Sequence, residues 1–129
     1  LEEQVLFLRN ISQDLKNALV AKSSIFVMPS IVYKKSVEGF GIAYIEAALF
    51  GIPSIASNVG GTSEAVLHNK TGIVLNHIDE LEVNFRELLT NQEKRKNLGM
   101  EAKNRALNEL QWENITNQYL SLISRITEI

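Results

Sequence analysis

Short apolar runs and helical stripes alternate as far as about residue 76, and only helical stripes follow. Val5 to Leu8 (VLFL) is the first run, of a length that predicts a buried strand. Ser12 offers an N-cap, and Leu15, Leu19 and Val20 form a helical stripe behind it. Ile25 to Met28 (IFVM) predicts a second strand, closed by Pro29-Ser30. A polar, lysine-bearing loop spans Ile31 to Val37. Gly41 to Phe50 reads as a helix stopped by Gly51 and Pro53. Ser54 to Ser57 predicts a third strand. Gly60-Gly61 then turns the chain into a short helix, Thr62 to His68. Asn69 to Gly72 is a turn, and Ile73 to Leu75 predicts a fourth strand.

Beyond Asn76 the strand signals stop. Asp79 or Glu80 starts a helix to about Asn91, and a second runs from Glu93 to Leu110 with Leu98, Ala102, Ala106 and Leu110 near one face. Trp112, Ile115, Tyr119, Leu122, Ile126 and Ile129 recur every three or four residues, which predicts a third, amphipathic helix. Residues 1–129 thus read as a single domain, with strands and helices alternating over 4–76 and a helical tail, expected as cladding, over 77–129. Apolar strands that do not alternate, separated by helices, predict a parallel sheet covered on both faces. The fold class is α/β, a Rossmann-like three-layer arrangement with a helical C-terminal tail. Ligands of such sheets bind beyond the carboxyl ends of the strands. The loops of interest are therefore Arg9 to Ser12, Ser30 to Gly41 and Asn58 to Thr62.

Composition narrows the chemistry. The chain has 129 residues, one domain's worth, and no cysteine, which excludes disulfide frameworks, thiolate metal sites and cysteine nucleophiles. Thirteen basic and fifteen acidic side chains leave a formal charge of -2, so no field gathers nucleic acid or an anionic membrane. No apolar stretch approaches a membrane span and no signal peptide is visible, which fits a cytoplasmic protein.

The loop that carries chemistry is Ser36-Val37-Glu38-Gly39-Phe40-Gly41-Ile42-Ala43-Tyr44-Ile45-Glu46. Its glycines let backbone approach a ligand closely. The helix that starts there has no Ser, Thr, Asp or Asn cap at the glycine-rich start, so its first N–H groups suit a phosphate; water and a tight turn are the plainer alternative. Glu38 precedes the glycines. Glu46 follows in a helix whose other residues are small or apolar, so its charge should face a cleft or a partner. Ionised carboxylates accept strongly from hydroxyls, and two of them flanking a phosphate site suit the sugars on either side of a diphosphate. Otherwise Glu38 is an exposed loop charge and Glu46 a solvated outer-edge position.

Phe26-Val27-Met28-Pro29-Ser30, then Glu38-Gly39-Phe40-Gly41 with Glu46-Ala47-Ala48, then Gly51-Ile52-Pro53, then Asn58-Val59-Gly60-Gly61, resemble in order the donor-binding half of group 1 (family 4) retaining glycosyltransferases. The Glu-x7-Glu spacing is that family's signature, and the Trp112-Glu113 tail also resembles its C-terminal end. The resemblance covers the chain from Val5 to about Ile126. It implies one incomplete half of a GT-B fold, in an enzyme of polysaccharide or glycoconjugate biosynthesis that uses a nucleotide-sugar. Carried over, Glu38 contacts the donor sugar near the reaction centre. Gly39, Phe40, Gly41 and Ile42 line the sugar and diphosphate, with N–H groups from the last three. Glu46 accepts from the ribose hydroxyls, and Arg9, Asn10 and Ile11 sit by the nucleobase. Arg9 departs from the glycine usual at its position. No cofactor or obligatory metal is implied, and the chain has no Asp-x-Asp to hold one.

The family's N-terminal acceptor domain, and two strand–helix units carrying an Arg and Lys that grip the diphosphate, have no counterpart in these 129 residues. The resemblance therefore implies a piece that is inactive alone, with peripheral membrane association left to the absent half. It also implies a rearranged edge beside Val5–Leu8, or a homo-oligomer formed by pairing that edge with another copy. Two other functions stay open: a non-catalytic α/β module binding phosphate or a protein, and a GT-B-like nucleotide-sugar epimerase.

Smaller signals add little. Asn10-Ile11-Ser12, Asn69-Lys70-Thr71 and Asn114-Ile115-Thr116 match the glycosylation sequon without a secretory signal. His68 and His77 lack ligand-spaced partners and read as surface or turn residues. Lys34-Lys35 reads as a solvated loop, Glu93 to Lys96 as an exposed helix start, and Trp112 as a packing residue.

Overall fold

The computed structural model describes residues 4–127. Its elements follow the order α1 (Gln13–Lys22), β1 (Phe26–Met28), α2 (Ile42–Leu49), β2 (Ser54–Ser57), α3 (Thr62–Ala65), β3 (Gly72–Leu75), a 3-10 turn (Ile78–Glu80), α4 (Leu81–Thr90), α5 (Gln92–Asn108) and α6 (Trp112–Thr127). The strands form one parallel sheet in the order β1-β2-β3. Phe26 sits beside Ser54, and Ser54 beside Gly72.

Alternation along the strands sends side chains to two faces. On one, Ala56 and Val74, joined by Phe26 and Met28, meet Tyr44 of α2 with Ala65 and Val66. On the other, Ile55, Ile73 and Leu75, joined by Val27, meet Leu88 of α4 and Leu98 of α5. The predicted three-layer α/β class is thus the observed one. Farther along α5, Ala102 and Ala106 pack on Ala48 of α2, so α5 ties both faces together. Ile55 and Leu88 are fully buried, and truncating either to alanine should cost ~2–5 kcal/mol.

Three expectations need correction. Val5–Leu8 forms no strand, and all four side chains are exposed. A run of apolar residues states a need for burial but supplies no partner, and a strand exists only through its ladder. Among the described residues, β1 instead stands at an edge of the sheet. The helix predicted over Thr62 to His68 stops at Ala65, because Val66 turns to extended backbone and the Thr71 hydroxyl takes the Leu67 N–H at 2.8 Å. The cladding ends with α5. Trp112, expected to pack, is 84% exposed, and α6 buries no residue. Helical periodicity records that one face is apolar, not what covers it. No helix among the described residues is long and apolar enough to cross a membrane.

Candidate functional site

The carboxyl ends of β1 and β2 open into the two glycine-bearing loops. Tyr44, one turn into α2, anchors the first. Its ring stands edge-on to Phe26, with centroids 5.9 Å apart, and its hydroxyl donates to the Met28 carbonyl oxygen. Burial pushes the Tyr44 pKa up; the polar side chain of Ser30 opposes this, and the Glu38 charge adds to it. The Pro29-Ser30 corner, Glu38 and Tyr44 therefore share one spot at the end of β1.

Gly41 is the N-cap of α2, at φ 86°, and no side chain caps the helix there. A Cβ on Gly41 would stand 2.4 Å from the Tyr44 ring, so both the turn and the tyrosine require glycine. The first hydrogen bond of the helix runs from the Tyr44 N–H to the Gly41 carbonyl oxygen, 3.0 Å. Among the described residues, the N–H groups of Phe40, Gly41, Ile42 and Ala43 have no protein acceptor. The first turn carries no acidic residue to compete for them. Four such donors at the positive end of a helix dipole suit an anion.

The second loop buttresses the first. The Gly61 N–H donates to the Glu38 carbonyl oxygen at 3.3 Å. Its own turn is held by Thr62, whose hydroxyl donates to the Ser57 carbonyl oxygen and accepts from the Val59 N–H at 3.2 Å. Arg105 of α5 closes the far end, donating to the carbonyl oxygens of Ala65 at 2.9 Å and Glu64 at 2.7 Å. Those bonds satisfy the end of α3, a helix too short to stand alone.

The carboxylates lie on either side of the open N–H groups along the chain. Glu38 is half-buried in the loop before them. Glu46 sits on the same helical face as Ile42, one turn (~5.4 Å) on. Its expected partner exists: Lys16 of α1 places its Nζ 3.0 Å from each carboxylate oxygen. Gly39 stands open, with nothing near an added Cβ. Phe40 and Ile42 border an apolar groove of about 750 Å³ against Trp112, Tyr119 and Leu122 of α6.

Arg9, Asn10 and Ile11 precede the N-cap Ser12 of α1, whose side chain accepts from the Leu15 N–H. Arg9 and Asn10 are exposed and Ile11 half-buried, with Asn10 in the left-handed region at φ 54°. No described hydrogen bond joins these three to residues 38–46; Lys16, farther along α1, makes that link. Lys34 and Lys35 form the tip of a tight turn closed by Tyr33 and Ser36, and the Lys34 Nζ lies over the Tyr33 ring at 5.4 Å. His68 serves its turn: its Nδ1 accepts from the Val74 N–H at 3.0 Å. Lys16, Tyr44 and Arg105 were not among the site residues expected from sequence. Tyr44 was legible as the large polar-tipped residue of an apolar helix. Lys16 and Arg105 look like ordinary surface cations.

Residues 1–105 match the family described as glycosyl transferases group 1. The chain is 33% identical over 114 residues to the GDP-mannose-dependent alpha-(1-6)-phosphatidylinositol monomannoside mannosyltransferase of Mycolicibacterium smegmatis, covering 85% of this chain and 30% of that protein. It is 31% identical over 121 residues to the N-acetyl-alpha-D-glucosaminyl L-malate synthase of Bacillus anthracis, covering 92% and 30%. The fold superposes on sucrose-phosphate synthase from Thermosynechococcus elongatus with a TM-score of 0.79 and 26% identity, covering 98% of this chain and 31% of that one. The chain therefore spans about 30% of the length of these relatives. With its motifs in order on a GT-B-type α/β layer, it belongs to the group 1 glycosyl transferases.

Proposed function

We propose that this chain is the donor-binding part of a retaining glycosyltransferase that moves a sugar from a nucleotide-diphosphate sugar to an acceptor. The observation that carries the reading is the set of four unpaired N–H groups at the start of α2, with Glu38 before them and Glu46 one turn beyond. The diphosphate accepts from Phe40, Gly41, Ile42 and Ala43. As the bond to the sugar breaks, charge builds on the departing diphosphate, and the fixed N–H groups and helix dipole stabilise it. Glu38 holds the sugar hydroxyls and favours the oxocarbenium-like state. Glu46 accepts from the ribose, and the base lies toward Arg9, Asn10 and Ile11, near the start of the helix that carries Lys16. Names of relatives support the class: one is a GDP-mannose-dependent mannosyltransferase and another an N-acetyl-alpha-D-glucosaminyl L-malate synthase.

In this reading the chain binds donor but does not turn over alone, since it covers about 30% of its relatives and acceptor choice lies elsewhere. It needs no metal and acts in the cytoplasm, reaching membranes only through an acceptor-binding domain. The open β1 edge pairs with another copy when uncovered, which light scattering reads directly. Titration calorimetry with UDP-, GDP- and ADP-sugars tests the reading. Binding of one of them that persists in EDTA and weakens in Glu38→Ala and Glu46→Ala is expected. Binding of none, or binding indifferent to both changes, overturns it.

A further inference from the structure

We infer that His68 is an acid-sensitive clip on β3, which holds the strand only while its Nδ1 carries no proton. This concerns the fold and stands whether or not the chain binds a donor. Among the described residues, the order β1-β2-β3 leaves β3 at an edge of the sheet. Val74, within that strand, is 7% exposed, and its N–H goes to the His68 Nδ1 at 3.0 Å instead of to a neighbouring strand. A buried N–H needs an acceptor. The imidazole therefore stands in for the strand that the edge lacks. A tight turn brings the ring there. The Asn69 N–H donates to the Gly72 carbonyl oxygen at 2.8 Å, and the Lys70 and Thr71 N–H groups donate to that of Leu67 at 3.0 and 2.9 Å.

The bond fixes the protonation state. A ring nitrogen accepts only when it bears no hydrogen, so the neutral ring keeps its proton on Nε2. An imidazolium carries hydrogen on both nitrogens. Its Nδ1–H would oppose the Val74 N–H, and neither would have an acceptor there. β2 and β3 carry no charged residue that could offset the charge. The turn contributes Lys70, a like charge, and α3 contributes Glu64, whose carbonyl oxygen is held by Arg105 of α5. Among the described residues, none of these side chains hydrogen-bonds or pairs with His68. Histidine changes charge between pH ~5 and ~8. The unfolded chain takes the proton freely, whereas the folded state gives up the Val74 bond to take it. The stabilisation is therefore complete above that range and is lost as pH falls through it. His77, the other histidine, caps nothing with its side chain and does not share this dependence.

Urea unfolding at pH about 7.5 and about 5, on either side of the histidine range, compares the wild type with His68→Asn and His68→Phe. The asparagine side-chain oxygen takes the place of Nδ1 and accepts at both pH values. Between the two, the unfolding constant of the wild type should rise about tenfold more than that of His68→Asn, the scale of one buried hydrogen bond. His68→Phe, without an acceptor, should be weakened at both pH values and show no extra acid loss. Nitrogen NMR of the wild-type ring at pH about 7.5 should find its hydrogen on Nε2, a readout that needs no variant. An acid loss as steep in either variant as in the wild type overturns the inference, and so does a ring with its hydrogen on Nδ1.

Discussion

A Cβ placed on Gly61 would stand 2.0 Å from the carbonyl oxygen of Gly39, so the two glycine-bearing loops touch backbone to backbone. The Gly61 N–H reinforces the contact through the Glu38 carbonyl oxygen. The loop carrying the open N–H groups therefore takes its position from the turn after β2, not from its own sequence alone.

Gly61→Ala should push residues 38–41 outward. Its φ of -89° suits alanine, so the cost comes from the clash and not from backbone strain. Overpacking of this kind costs ~1–3 kcal/mol. Donor affinity should fall by more than about tenfold, since the N–H groups lose their common aim. Thermal unfolding and calorimetry on the same sample separate the two effects. A folded variant with unchanged affinity would show that the buttress is dispensable.

The raised pKa of Tyr44 gives a signed pH dependence. The folded state holds the phenol proton more tightly than the unfolded chain does. That stabilisation is complete below the ordinary tyrosine value of about 10, and is lost as pH rises through the folded value. Wild-type stability should thus fall more steeply above pH ~10 than that of Tyr44→Phe. At neutral pH the variant should be less stable by ~1–2 kcal/mol, because the Met28 carbonyl loses its donor. Denaturant midpoints at neutral and alkaline pH test both statements. Parallel slopes would remove Tyr44 as their cause.

Glu38→Gln and Glu46→Gln keep shape and remove charge, so each should weaken a charge-assisted contact worth ~1.5–3 kcal/mol. The losses should differ in kind. Glu46→Gln should weaken free nucleoside diphosphate and nucleotide-sugar alike, by about tenfold to a hundredfold. Glu38→Gln should weaken only the sugar-bearing ligand. Calorimetry with each ligand resolves this, and the opposite pattern would exchange their roles.

How far the sequence alone could be read follows from what each signal encodes. Ser54–Ser57 and the residues around Ile73 read correctly as strands because both faces of them are buried, and burial is what an apolar run reports. Gly41 read correctly as an uncapped helix start because the missing cap is a local fact. Val5–Leu8 and Trp112 failed for one shared reason: their apolar character is local, whereas a partner surface is not. Lys16 and Arg105 were illegible because they act 30 and 40 residues away, on Glu46 and Ala65. Nothing in their own neighbourhoods separates them from solvated cations.

Arg105 carries the most testable of those long-range links. Its guanidinium is largely buried, with the side chain 14% exposed, and forks onto the carbonyl oxygens of Glu64 and Ala65. The third contact, to Glu109 at 3.2 Å, involves a partner that is 60% exposed. Arg105→Met keeps the apolar stem but leaves both carbonyl oxygens without donors, so it should cost ~1.5–3 kcal/mol. Lysine cannot reproduce the fork and should restore only part of the loss. Glu109→Gln should leave stability nearly unchanged, because an exposed pair adds little. Since α3 leads directly from the Gly60-Gly61 turn, Arg105→Met should also loosen the buttress and weaken donor binding several-fold while the nucleotide contacts themselves stay intact. Urea midpoints for the three variants, with calorimetry for Arg105→Met, check the set. Equal losses in Arg105→Met and Glu109→Gln would locate the stabilisation in the surface ion pair and not in the capped helix.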